Sequence, residues 1–166
     1  MKKIIYSLII GGFVGGIIGF AGGIVVFPYW FPPPPAMEQV SDREAKTIVA
    51  AGEFIHANPS DPIHYGSGNV EILKGDDGAH LVFLKPDFKV GPGPLYHVYL
   101  ADQAGIKSND DFKAATVTDL GRLRSFEGSQ VYKIPGSVDL TPVKSVVVWC
   151  KEFGALITPA TLKPGT

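Results

Sequence analysis

The sequence predicts a mainly β domain, an antiparallel sandwich or barrel, preceded by one N-terminal transmembrane helix. Two observations carry this. Residues 4–27 hold no charged side chain. Beyond Gly52 the chain turns into short apolar or alternating runs broken by Gly, Pro, Asn and Asp, the texture of strands at close spacing.

The uncharged stretch comes first. At about 1.5 Å per residue it spans roughly 36 Å as a helix, enough to cross a hydrocarbon core of about 30 Å with some tilt. Lys2 and Lys3 precede it and the first acidic residue is Glu38, so the positive-inside bias keeps the N-terminus cytoplasmic. Tyr29, Trp30 and Phe31 mark the far boundary as an aromatic belt. The expectation is a signal-anchor in the cell membrane: a single-pass protein with its C-terminal domain outside the cytoplasm, periplasmic or extracellular. A cleaved signal peptide competes, because Gly19 and Ala21 supply small residues, but the apolar region of a signal runs only about 7 to 15 residues. No cysteine lies nearby, which excludes a lipoprotein anchor. Gly11, Gly15, Gly19 and Gly23 recur every fourth residue. Such a stripe lets two backbones approach closely and predicts a homo-oligomer through this face, against the alternative of a lone anchor.

Residues 1–31 thus form a cytoplasmic stub and anchor, residues 32–51 a spacer, and residues 52–166 the exported domain. Lys2 and Lys3 are the only charges before Glu38, so of 15 basic and 16 acidic residues 13 and 16 lie beyond the helix, a net charge of −3. Nucleic acid is therefore not expected as a partner. Four prolines, Pro32 to Pro35, favour an extended polyproline spacer. Ser41 with Glu44 has the form of a capping box and predicts a short helix over 45–51. Strands are expected at 53–56, 69–73, 80–84, 95–101, 130–134 and 145–153, with a last edge strand at 155–162 and a hairpin turn at Asp76-Asp77-Gly78. About 130 residues beyond the helix are the size of one domain.

Cys150 is the sole cysteine, so no disulfide forms within the chain. Alternation places it on the strand face of Val146 and Val148, with Trp149 and Val147 on the other. Both faces are apolar, as in a central strand. Cys150 is then either a small buried hydrophobe or a functional thiol: a redox group, a ligand to haem or metal, or a bridge to a partner. The histidines His56, His64, His80 and His97 show no zinc-type spacing with one another or with Cys150. His56 and His64 are the pair most expected to meet in space; otherwise all four read as surface or hydrogen-bonded structural residues. Asp87, Asp102, Asp110 and Asp111 read as turn and solvent-facing residues. Nothing has the form of a nucleophile elbow, a phosphate loop or a paired-carboxylate site.

Gly91-Pro92-Gly93-Pro94 followed by Leu95-Tyr96-His97-Val98-Tyr99-Leu100 is the most distinctive stretch. With LVFLKPDF before it, LGRLRSFEGSQVYKIP after it and VVVWCKEFGALI near the end, it resembles the DM-thirteen domain, also called the electron-transfer DM-thirteen domain and found beside DOMON domains. The resemblance runs from about Gly52 to Leu162. It takes in Gly52 and Phe54, His64-Tyr65-Gly66-Ser67-Gly68, Phe88, Leu95 and Tyr99, Gly121, then Gly128, Gln130, Tyr132 and Pro135, then Trp149-Cys150 and Phe153. It implies a small β-rich extracytoplasmic domain, an electron carrier more than an enzyme, with Cys150 at the cysteine position assigned the redox role. Haem is the cofactor the resemblance suggests, with Cys150, His64 and His97 as binding candidates and an unknown redox partner; Tyr96, Tyr99, Tyr132 and Trp149 would line a pocket or fill the core. No metal site is expected beyond this. The competing reading is a non-enzymatic binding or assembly module with a structural Cys150.

Overall fold

The computed structural model describes residues 2–165. Helix α1 (Lys2–Trp30) is longer than the uncharged stretch, and its segment Lys2–Ile24 is apolar and long enough to cross a membrane. The strands that follow are β1 (Ala36–Met37), β2 (Thr47–Phe54), β3 (Gly66–Ser67), β4 (Asn69–Lys74), β5 (His80–Leu84), β6 (Lys89–Val90) and β7 (Tyr96–Ala101). After helix α2 (Asn109–Ala114) come β8 (Val117–Arg122), β9 (Gly128–Ile134), β10 (Ser145–Cys150) and β11 (Ala155–Pro164).

Nine strands join one curled sheet in the order β1-β9-β5-β4-β2-β11-β10-β7-β8, and β3 with β6 forms a small second sheet. All pairs are antiparallel except β1 with β9. The result is mainly β, a half-barrel. Its two sides approach where the Tyr132 hydroxyl of β9 lies 3.3 Å from the Arg122 carbonyl of β8. The inner face holds the main core, with Phe54, Val70, Val82, Leu84, Val98 and Val148 all buried. Removing each of these from water contributes about 1.5–3 kcal/mol.

The strands expected at 69–73, 80–84, 95–101, 130–134 and 145–153 form with ends shifted by no more than three residues. The hairpin turn forms as well: Gly78 adopts φ +77° and Asp77 Oδ1 accepts from the Ala79 N–H at 3.0 Å. Three expectations are corrected. Residues 45–51 are not a helix. Asp42, at φ 49°, leads into a single 3-10 turn, Arg43–Ala45, and β2 begins at Thr47. The β-branched Thr47, Ile48 and Val49 and the two neighbouring strands β4 and β11 outweigh the helix preference of the alanines. Arg43 is held instead by Glu71, at 2.6 Å. The strand at 155–162 is not an edge but lies between β2 and β10, which explains why Ile157, Thr158 and Ala160 are buried. The proline run is not a free spacer either: Ser125 Oγ donates to the Pro34 carbonyl at 2.8 Å, and Ala36 and Met37 pair in parallel with Gly128 and Ser129.

Candidate functional site: a buried thiol beside a tyrosine

Every residue of β10 is buried, because β7 and β11 flank it and both faces are covered. On the outer face Val147 and Trp149 pack beneath α2, where Phe112 stacks on Trp149 at 4.3 Å and meets Tyr99 edge-on at 5.3 Å. On the inner face Cys150 joins Val146 and Val148 in the main core, the face predicted by alternation. The pairing with β11 shifts register between Val148 and Trp149, so an irregularity adjoins Cys150, a position where strands often re-aim a side chain. Cys150 is 1% exposed and free.

Directly across from Cys150 on β7 is Tyr96, itself 4% exposed. Its hydroxyl donates to the Pro92 carbonyl at 3.2 Å, and its ring meets Phe126 edge-on at 5.9 Å. The glycine-proline turn closes over this ring. A side chain at Gly93 would collide with the tyrosine ring, and one at Gly91 with the Ile63 carbonyl and the Tyr65 ring. The turn is tied down through Gly91 N–H to the Tyr65 carbonyl at 3.0 Å. Burial pushes the Tyr96 phenol above its ordinary value, and neighbouring Cys150 adds to the shift.

The histidines divide between two faces and two ends of the sheet. His56 and His64 do meet, on Asp61: His56 Nε2 donates to its carbonyl at 2.8 Å and His64 Nδ1 to its carboxylate at 2.6 Å. The bond from His64 holds the Asp61 carboxyl down at about 2. His97 lies across from Trp149, on the face opposite Cys150, and its Nδ1 bonds Asp119 at 2.9 Å. Burial works upward on Asp119, but hydrogen bonds from His97, the Gly121 N–H and Lys151 prevail and lower it. His80 opens β5 opposite Lys74 and Ile134, at the far end of the sheet from Cys150. One iron cannot take both Cys150 and His97 through the sheet, so these residues do not fit a haem held between them. Among the described residues no three His, Cys, Asp or Glu side chains gather as metal ligands.

Of the four aromatic candidates, Tyr96 and Tyr132 belong to the inner core and Tyr99 and Trp149 to the outer layer. Sequence reasoning missed α2, whose signal was present: Ser108 and Asp111 form a capping box. Gln130, singled out by the resemblance but given no role by it, is fully buried; it accepts from the Arg124 N–H and the Tyr132 hydroxyl, each at 2.9 Å, and donates to the Ser125 carbonyl at 2.9 Å. That network fixes the 122–126 segment beside Tyr96.

No curated protein and no solved structure matches the chain. The family model described as Electron transfer DM13 matches residues 59–162, which include His64, the glycine-proline turn, Tyr96 and Cys150. With most of its length matched by that model, the chain belongs to the Electron transfer DM13 family.

Proposed function

We propose that the chain is a membrane-anchored electron carrier whose redox group is the thiol of Cys150, held on the outer side of the cell membrane by α1. The observation that carries this reading is the pairing of the family match with a lone cysteine set directly across from Tyr96 on the neighbouring strand. Cys150 is too buried to meet a dissolved oxidant, so electrons pass through the side chains packed around it. A charge left on sulfur in this apolar core costs several kcal/mol; oxidation of Cys150 is therefore the loss of one electron and the S–H proton together to a partner that is a one-electron oxidant, leaving a neutral thiyl radical, and reduction returns both to the sulfur. Tyr96, with its hydroxyl turned to Pro92, is the neighbouring aromatic on the way out.

The optical spectrum of full-length protein from its own host, recorded in mild detergent before and after dithionite, tests this. A thiol carrier shows no visible band in either state. A Soret band that shifts on reduction and vanishes in Cys150→Ala would replace the thiol with a haem ligand.

A second reading is favoured by the apolar surroundings of Cys150 and by the open space around Gly11, Gly15, Gly19 and Gly23: an assembly module in which the thiol is packing and the glycine face joins two copies. Under it, Cys150→Ala leaves electron exchange as it was in the wild type.

A further inference from the structure

A cleft of about 960 Å³ lies between α1 and the domain. One wall is Gly19, Gly23 and Phe27 of the helix; the other is Pro94, Tyr96 and the segment 122–126. The 29 residues of α1 extend about 43 Å, which matches a bilayer of about 40–45 Å with its headgroups. Along that length Gly19 and Gly23 stand in the outer half of the hydrocarbon, about 26 and 32 Å from Lys2, and Phe27 where it gives way to headgroups. Whatever fills the cleft is therefore supplied by the bilayer or by a second helix.

Charge decides between these. Arg124 is neutralised by Glu38, with contacts of 2.5 and 2.7 Å. Arg122, in the same wall, makes only a long bond of 3.4 Å to the Pro94 carbonyl and no ion pair among the described residues. A second α1 has no charge over residues 4–37 to offer it. A phosphate does, in the geometry guanidinium groups favour. We propose that the cleft binds one anionic phospholipid of the outer leaflet, its acyl chain along Gly19 and Gly23 and its phosphate on Arg122. This rests on α1 lying in the bilayer and is independent of the redox role of Cys150.

The test uses full-length protein in mild detergent, incubated with phosphatidylglycerol or phosphatidylcholine of identical chains and weighed by native mass spectrometry. Wild type is expected to retain phosphatidylglycerol on the order of tenfold better than phosphatidylcholine, and Arg122→Gln to lose that preference. Gly19→Leu with Gly23→Leu fills the cleft and is expected to lose both lipids. Carbonate extraction of all variants from membranes reports the anchor separately. Equal retention of the two lipids by wild type, undiminished preference in Arg122→Gln, or undiminished lipid in the glycine pair would overturn the proposal. So would a dimer that excludes lipid and is lost in the glycine pair, which would give the cleft to a second copy.

Discussion

At the scale of single residues, one buried polar group is fully partnered. Gln130 satisfies three neighbours at once, so Gln130→Ala strands buried polar groups and is expected to cost about 3 kcal/mol in denaturant unfolding. Cys150→Ala removes one small core side chain and is expected to cost about 1 kcal/mol. Asp61 gives a pH signature. Its carboxyl lies near 2 in the folded chain against an ordinary 3.8, so the folded state binds its proton less readily than the unfolded state. The stability it contributes is fully present above about pH 4 and is lost as pH falls toward 2. Thermal melts of wild type and Asp61→Asn should therefore differ at pH 5 and converge at pH 2. Cys150 and its face were legible in the sequence because strand alternation fixes a face; Asp61 as the meeting point of His56 and His64 was not, since loop hydrogen bonds follow no period.

Among the elements, β10 and its neighbours were legible from apolar runs of strand length, whereas β1 and α2 were not and β2 was legible only at its end, where the strand expected at 53–56 overlaps Thr47–Phe54. The two residues of β1 carry no pattern and exist only because β9 offers an edge. Gly128 makes that pairing possible: it adopts φ +86°, and a side chain there would strike the Ala36 carbonyl. Gly128→Ala is expected to cost about 1–3 kcal/mol and to free the proline segment, seen as faster limited proteolysis within residues 32–38. Alanine content pointed 45–51 toward helix, but a strand with partners on both sides gains more from pairing than propensity withholds. The position of β11 in the sheet was equally hidden, because sequence order does not state which strands become neighbours.

For the whole molecule, the helix and the family were legible from composition and from ordered motifs, while the docking of helix, proline run and domain around the Tyr96 end was not, being a matter of contacts far apart in sequence. Those contacts place Tyr96 and the glycine-proline turn beside the helix, with Cys150 across from Tyr96 on the next strand. On the proposed reading, electrons leave the domain at this end, and the exchange depends on one sulfur atom. The most direct test is voltammetry of the full-length protein in lipid nanodiscs on an electrode, comparing wild type with Cys150→Ala after circular dichroism has shown both folded. A reversible wave in wild type that is absent from Cys150→Ala is the predicted result; a wave of equal size and potential in both would contradict the redox role of Cys150.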